Sequence, residues 1–248
     1  MSRLTGWPLG VPAAVALLAA CATSDPPEST STADAETPAV HNTLTAAERD
    51  DGWRLLFDGA TLDGWRGYGS EDVPAGWSVK DGTLQLDGGG GDIITRDEFA
   101  NFELALDWRI GAGGNSGIFY LTALGSDAIF MSAPEMQVLD DAGHPNGQNP
   151  LTAAGSNFGL YAAPPGIVRP AGEWNQARIV VEGDRVEHWL NGTKVVEYTL
   201  GSAEWADLVK NSKFDDWPEY GTARSGHIGL QDHGDPVWYR DIKIRVIG

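Results

Sequence analysis

The sequence predicts an all-β domain built as a sandwich of two antiparallel sheets. Short stretches of alternating apolar and polar residues recur from Trp53 onward, separated by Gly, Asp and Asn. Residues 102–110 show the two-residue period of a half-buried strand, because apolar side chains alternate there with charged ones. Parallel βαβ units would need intervening helices, whereas only residues 203–211 have a helical pattern.

Glycine-containing dipeptides divide these strands into hairpins. Asp81-Gly82 and Gly183-Asp184 each separate two strand-like stretches, which is a strong signal for a tight turn. Asn191-Gly192 separates two further strands, and residues 237–246 close the chain as a long strand. We therefore expect a single all-β domain over residues 50–248.

Charge and cysteine content exclude several classes of protein. The 248 residues carry a formal net charge of −18 at pH 7. Nucleic-acid binding requires basic patches that displace counterions from phosphates, so this balance argues against it. One cysteine, Cys21, excludes an intrachain disulfide framework and a cysteine-rich zinc site. The motifs of nucleotide-binding loops and of serine hydrolases are also missing from the sequence.

The first 49 residues differ in composition from the rest. Residues 1–21 contain a positive charge followed by an apolar run that is too short to cross a bilayer. The run ends in Leu18-Ala19-Ala20-Cys21, which resembles a bacterial lipobox, so we expect a signal peptide and lipid attachment at Cys21. Residues 22–49 are rich in Ser, Thr, Pro, Ala and acids, and predict a disordered tether. Together these features predict an exported protein anchored by lipid in the cell envelope, either periplasmic or at the cell surface.

Residues 134–141 contain the first candidate site. In an extended strand Glu135 and Gln137 point to one side, and the apolar residues between and beside them point to the other. A carboxylate and an amide on one sheet face can hold a sugar ring and move a proton. Asp140 reaches that face only if a bulge intervenes. The alternative is an ordinary solvated face.

Three further motifs place polar residues beside glycines or near strand ends. Residues 113–117, which contain Asn115, permit close approach of another group to the backbone, or form an ordinary hairpin turn. His188 shares the parity of its apolar neighbours, so it is either a core histidine or a functional one. Gln231 and His233 face away from the adjacent apolar residues, which suits contact with a ligand.

Several motifs in order along residues 52–247 resemble the 3-keto-disaccharide hydrolase domain family, whose fold is the concanavalin A-like jelly roll of lectins and family-16 glucanases. They are Leu56-Phe57-Asp58-Gly59, Leu62-Asp63-Gly64-Trp65, Gly114-Asn115-Ser116-Gly117, Glu135-Met136-Gln137-Val138-Leu139-Asp140, Gly159-Leu160-Tyr161, Gly172-Glu173-Trp174-Asn175, His188-Trp189-Leu190-Asn191-Gly192 and Gly229-Leu230-Gln231-Asp232-His233-Gly234. The resemblance implies a jelly-roll sandwich that acts on glycosides oxidised to a ketone at sugar carbon 3.

Cleavage of such a substrate by elimination sets the groups that the site needs. The C3 carbonyl acidifies the proton on C2, and removal of that proton lets the C1–oxygen bond break. A general base, a proton donor for the leaving oxygen and a stabiliser of the enolate oxygen are then required. Within the resemblance we expect Glu135 or His188 to act as base and acid.

The remaining candidate residues would hold the substrate or a metal ion. Contacts with sugar hydroxyls or the enolate are expected from Asn115, Gln137, Gln231, His233 and Arg109. Tyr161 and Trp238 either stack on the sugar or pack in the core. Members of the family that the sequence resembles can use a divalent metal ion, for which Asp140, His188 and His233 are the candidate ligands.

The sequence leaves three functional hypotheses. The first is an enzyme that cleaves 3-keto-glycosides, either as a hydrolase or as a lyase acting across C1 and C2. The second is a non-catalytic carbohydrate-binding module displayed at the cell surface. The third is a family-16-like endoglucanase, which is disfavoured because no second glutamate accompanies Glu135, as a retaining pair about 5 Å apart requires.

Overall fold

The computed structural model describes residues 40–248, in which thirteen strands and two α-helices are found. The predicted signal peptide, the lipid attachment at Cys21 and most of the predicted tether lie outside the described residues. The helices are α1 (Ala46–Asp50) and α2 (Ala203–Lys210). The strands are β1 (Trp53–Leu55), β2 (Trp65–Gly67), β3 (Trp77–Lys80), β4 (Thr83–Leu86), β5 (Ile93–Thr95), β6 (Phe102–Ile110), β7 (Asn115–Thr122), β8 (Glu135–Leu139), β9 (Asn175–Glu182), β10 (Arg185–Leu190), β11 (Thr193–Thr199), β12 (His227–Leu230) and β13 (Val237–Val246).

The strands form two sheets in which every pairing is antiparallel. An eight-stranded sheet has the order β11-β10-β9-β6-β13-β4-β3, with β1 also paired to β13. A five-stranded sheet has the order β2-β5-β12-β7-β8. The predicted all-β class with two antiparallel sheets is confirmed.

The predicted tight turns have the backbone angles that their sequences require. Asp81 and Gly82 both have positive φ, 52° and 70°, as the two central residues of a type I′ hairpin turn need. Asn191 and Gly192 show the same pattern, with φ of 49° and 79°. These turns twist in the same sense as the strands that they join, which is why Asp-Gly and Asn-Gly mark them in the sequence.

The core lies between the two sheets and is built from alternate residues of each strand. On β6 the apolar residues at every second position are at most 3% exposed. The inward side chains of β7 and β8, among them Ile118 and Met136, are fully buried against them. Burial of each large apolar side chain contributes about 1.5–3 kcal/mol, so the alternation fixes which face of every strand turns inward.

Residues 41 and 42, before the predicted domain boundary at residue 50, already contact the domain. Asn42 is buried, its Nδ2 donates to the carbonyl of Gly82 at 2.8 Å, and its Oδ1 accepts from the amide of Asp241 at 2.9 Å. Nδ1 of His41 lies 2.7 Å from Oδ2 of Asp241. These are specific side-chain hydrogen bonds to distant residues, which an argument from average composition cannot foresee. Among residues 40–248, no helix has the length and apolar character needed to cross a bilayer.

A candidate active site on the five-stranded sheet

A polar row crosses the face of the five-stranded sheet that points away from the core. On this face Gly117 of β7 lies opposite Gln137 of β8. The amide of Gln231 donates to the carbonyl of Gly117 at 3.0 Å, which extends the row beyond β12. The row continues to Asp92, just before β5, whose Oδ1 accepts from the amide of Asp232 at 2.9 Å. Three polar side chains, those of Gln137, Gln231 and Asp92, thus lie at one level of the sheet, with Gly117 between the first two.

Glu135 lies two residues before Gln137 on β8, on the same face, and its carboxyl group lies over Gly117. A Cβ atom added to Gly117 would lie only 2.0 Å from Oε1 of Glu135, so the glycine provides the space that the carboxyl group occupies. Glu135 is 7% exposed. Burial raises the pKa of Glu135 to about 8; the positive charge of Lys213 opposes this rise, and the negative charge of Asp92 adds to it.

Three amide oxygens on the same face are buried without a hydrogen-bond partner among residues 40–248. They belong to the side chains of Asn115, Gln137 and Gln231. Gln137 is held in place from its other end, since its Nε2 donates to the carbonyl of Thr152 at 3.2 Å. A buried acceptor without a donor costs about 1–3 kcal/mol, and native proteins contain few of them. Their position on the face that carries Glu135 therefore indicates a site that binds a ligand rich in hydroxyl groups.

Lys213 approaches this face from the segment between α2 and β12. Its ammonium group lies 4.5 Å from the ring centroid of Phe158, 5.2 Å from that of Phe214 and 5.7 Å from that of Phe130. Burial lowers the pKa of Lys213, and the negative charge of Glu135 acts in the opposite direction. Three aromatic rings thus hold a cation within electrostatic reach of the Glu135 carboxyl group.

Asp92 is a second carboxyl group on this face, and its negative charge acts on the pKa of Glu135. Burial raises the pKa of Asp92 to about 6, together with the negative charge of Asp232, while the hydrogen bond from the Asp232 amide and the charge of His233 lower it. His233 itself is half-exposed at the rim, where its Nδ1 lies 3.9 Å from Oδ2 of Asp235. The sequence pattern did not point to Asp92 or Lys213, because Asp92 lies in the loop before β5 and Lys213 begins a short 3-10 helix, and neither segment carries a periodic signal.

His188 lies in the core between the sheets. Its side chain is fully buried, Nε2 lies 2.8 Å from the hydroxyl of Tyr120, and Nδ1 lies 3.1 Å from the carbonyl of Gly155. Burial lowers the pKa of His188 to about 4, so the ring is neutral near pH 7. The structure therefore does not bring His188 to the face that carries Glu135, because the parity of β10 turns it inward with Val186 and Leu190.

Arg109 and Trp238 also lie away from Glu135. Both are on the outer face of the eight-stranded sheet, where the guanidinium carbon of Arg109 lies 4.5 Å from the ring centroid of Trp238. Strand alternation shows that Arg109 points away from the core, but it does not show to which sheet β6 belongs. Tyr161 stacks on the core residue Tyr198 at 4.9 Å, which makes it part of the packing.

Asp140 has a local structural contact rather than a metal-binding one. Its Oδ2 accepts from the amide of Gly113 at 2.7 Å, and its Oδ1 accepts from the amide of Ala142 at 3.2 Å. Asp140 is not joined by His188, which is in the core, or by His233, which is at the rim. Within residues 40–248, no three His, Cys, Asp or Glu side chains group closely enough to hold a metal ion. The residues proposed as metal ligands therefore do not form a metal site.

Comparison with known proteins supplies the family. The sequence profile of the 3-keto-alpha-glucoside-1,2-lyase-like domain matches residues 52–245. A 3-keto-disaccharide hydrolase of Bacteroides thetaiotaomicron is 40% identical over 244 residues, covering 82% of this chain and 84% of that protein.

Two crystal structures from Parabacteroides distasonis, provisionally assigned as glycosyl hydrolases, are also similar. The first has a TM-score of 0.80 and 34% identity, covering 84% of this chain and all of that one. The second has a TM-score of 0.62 and 29% identity, covering 79% and 99%. The chain therefore belongs to the 3-keto-alpha-glucoside-1,2-lyase-like domain family.

Proposed function

We propose that the protein cleaves the glycosidic bond of glycosides that carry a ketone at sugar carbon 3. Membership of the family and the 40% identity to a 3-keto-disaccharide hydrolase support this substrate class. The observation from the structure that carries the proposal is Glu135, whose carboxyl group is buried, has a pKa raised to about 8 and lies on the same sheet face as three unpartnered amide oxygens. Such a group is suited to proton transfer near neutral pH.

The first step of the proposed reaction is removal of the proton on C2 by the Glu135 carboxylate. The electron pair of the C2–H bond forms a C2–C3 double bond, and the C3 carbonyl oxygen becomes an enolate oxygen. Collapse of the enolate restores the ketone, forms a C1–C2 double bond and breaks the bond from C1 to the aglycone oxygen. That oxygen takes up the proton that the Glu135 carboxyl group accepted in the first step, so that the carboxylate is regenerated.

The hydrolase and lyase routes diverge only after this elimination. A lyase releases the unsaturated 3-keto sugar, whereas a hydrolase adds water across the C1–C2 double bond. The protein supplies the same groups in both cases. We assign the ammonium group of Lys213 to the enolate oxygen, where a preorganised cation stabilises developing negative charge. The amides of Asn115, Gln137 and Gln231 are assigned to the sugar hydroxyls.

A single substrate comparison tests the proposed function. The purified protein is incubated with a 3-keto-glucoside and with the corresponding unoxidised glucoside, and release of the aglycone is measured. We expect release from the 3-keto compound alone. In deuterium oxide, hydrolysis through elimination incorporates deuterium at C2 of the product. Equal cleavage of both glucosides would contradict the proposal, and binding of the 3-keto compound without turnover would indicate a carbohydrate-binding module instead.

Replacing Lys213 by methionine should weaken catalysis and shift its pH dependence. Loss of the ammonium group removes enolate stabilisation, for which we expect a fall in kcat of about 10²-fold. The positive charge of Lys213 lowers the pKa of Glu135, so its removal should also move the rise of kcat/KM to higher pH. Lys210→Met, at an exposed position in the last turn of α2, is the control and should leave both quantities unchanged. An unshifted pH profile in Lys213→Met would contradict the assignment.

Replacing His188 by leucine should reduce stability and leave catalysis intact. The variant loses the hydrogen bonds to Tyr120 and Gly155, whose polar groups stay buried, and we expect unfolding to become easier by about 1–3 kcal/mol. Urea denaturation measures this change, and kcat is measured below the unfolding transition. A large loss of kcat in the folded variant would restore His188 as a catalytic candidate.

We further propose that the protein is exported and anchored to a membrane by lipid on Cys21. The lipobox-like sequence that ends the apolar run supports this, since several acyl chains on one residue would anchor a protein stably. Expression in a bacterial host with a radiolabelled fatty acid should label the wild-type chain and place it in the membrane fraction. Cys21→Ser should lose both the label and the membrane association. Membrane association without label in Cys21→Ser would contradict the lipid anchor.

A further inference from the structure

The outer face of the eight-stranded sheet carries a second set of aligned polar and aromatic residues. Ser78 on β3 pairs with Gln85 on β4, Gln85 pairs with Trp238 on β13, and Trp238 pairs with Arg109 on β6. Trp174 precedes β9 and covers the end of this row, since its ring also lies against Arg109. The row faces away from the core, on the side of the sandwich opposite to Glu135.

Arg109 is held between two tryptophan rings. Its guanidinium carbon lies 4.5 Å from the ring centroid of Trp238 and 4.9 Å from that of Trp174. The ring of Trp238 is fixed in turn, because its Nε1 donates to Oε1 of Gln85 at 2.8 Å. Stacking of this kind positions a planar guanidinium group and leaves its N–H donors for hydrogen bonding in the plane.

The charge of Arg109 has no partner in the described part of the chain. Its Nε is buried without a hydrogen bond, and no carboxylate of residues 40–248 forms an ion pair with it. The other arginines of this face are all paired with carboxylates. They are Arg178, Arg185, Arg240 and Arg245. In a protein with a net charge of −18, an arginine that is both positioned and unpaired indicates a site for an external anion.

Arg109 lines a cavity large enough for a sugar residue. The cavity has a volume of about 710 Å³. Its walls include the rings of Trp174 and Trp238 and the polar residues Ser78, Thr83 and Gln85. The charged residues of the lining are Lys80, Arg109 and Arg240, together with Asp81 and Asp87. An aromatic wall, hydroxyl and amide groups, and a guanidinium fork are the groups that recognise a pyranose ring bearing a carboxylate.

We propose that this cavity binds an acidic sugar, a uronic acid, with its carboxylate on the N–H groups of Arg109 and its ring against Trp238. A charge-assisted bidentate contact of this kind is both stronger and more directional than a neutral hydrogen bond. The site does not depend on the proposed catalytic reaction, because it shares no residue with the Glu135 face. It would hold an acidic glycan on the side of the domain opposite to the active site.

Calorimetric titration of the purified protein tests the site. The probes are an oligosaccharide that contains glucuronic acid, its neutral glucose counterpart, and a sulfated neutral oligosaccharide. We expect binding of the first probe alone, and a Kd at least about tenfold higher in Arg109→Gln. Arg178→Gln is the matched control, because Arg178 also stacks on a tryptophan of this face but is paired with Glu103. It should bind as the wild type does, and so should Glu135→Gln.

Each of the following outcomes would overturn the proposal. They are equal binding of the acidic and neutral probes, unchanged binding in Arg109→Gln, and loss of binding in Glu135→Gln, which would place the sugar at the other face. Equal binding of the sulfated probe would also overturn the assignment to a carboxylate. If Arg109→Gln does not fold, Arg109→Lys tests the same bidentate contact and should also weaken binding. Lysine keeps the charge but lacks the planar guanidinium fork.

Discussion

Glu135→Gln should reduce kcat for a 3-keto-glucoside by about 10³-fold, within the range that removal of a general base produces. Glutamine has nearly the same shape as glutamate but cannot accept the C2 proton as a base. The Glu135 side chain is buried, and Gly117 provides the space for its carboxyl group. We therefore expect that no neighbouring carboxyl group takes over its role. Steady-state kinetics on the 3-keto substrate measure the effect.

The pH dependence provides an independent check on the role of Glu135. Burial raises its pKa to about 8, so the protonated form dominates in the free protein at neutral pH. A base works only in its ionised form. We therefore expect kcat/KM to rise with pH and to level off above about pH 8, and we expect this rise to be absent from the residual activity of Glu135→Gln. A decrease of kcat/KM through pH 8 would instead identify Glu135 as the acid.

The pH dependence of the unfolding free energy should also reflect the raised pKa of Glu135. The folded-state pKa of Glu135 lies above its ordinary value of 4.5, so the folded state binds this proton more tightly than the unfolded state does. The stabilising effect is complete below pH 4.5 and is lost as the pH rises to about 8. The wild type should therefore lose unfolding free energy relative to Glu135→Gln across this window, as measured by denaturation at several pH values. Equal pH dependence of the two proteins would show that the pKa of Glu135 is not raised.

Glu187→Gln is the matched control for the measurement of kcat and for its pH profile. Glu187 is also a buried glutamate, 6% exposed, but it lies on the outer face of the other sheet and is paired with Arg185 and Lys194. Its replacement should leave kcat and its pH profile unchanged. A comparable loss of activity in Glu187→Gln would show that the effect of Glu135→Gln is a general consequence of removing a buried charge.

Gly117→Ala should cause the second large effect, a loss of kcat of about 10²-fold or more, by displacing Glu135 from its working position. The added Cβ would lie 2.0 Å from Oε1 and 2.8 Å from Cδ of Glu135, which forces the carboxyl group to move. Gly117 does not have a positive φ, so alanine fits the backbone and the collision alone is responsible. Gly64→Ala is the control, since its Cβ would meet only an ordinary contact at 3.6 Å.

The double variant Gly117→Ala with Glu135→Gln separates displacement of Glu135 from general damage. If both changes act through the same carboxyl group, the double variant should be no less active than Glu135→Gln alone. Additive losses would mean that Gly117→Ala acts through another part of the site. Circular dichroism and the unfolding midpoint confirm that each variant is folded.

The sequence by itself determined the strands, their turns and the direction of their side chains. Alternation in 102–110 identified the buried face of β6, and the alternation around Glu135 and Gln137 placed both side chains away from the core. Asp81-Gly82 identified a hairpin. These features are local, because the two-residue period and the turn angles depend on neighbouring residues.

Only the tertiary structure decided which of these residues meet. It placed Arg109 and Glu135 on different sheets, and brought Asp92 and Lys213 from distant segments close enough for their charges to act on the pKa of Glu135. It also turned His188 into a hydrogen-bonded core residue next to Tyr120. Strand order and loop approach depend on contacts between segments far apart in the chain, so a pattern of period two shows which way a side chain points but not what it will face.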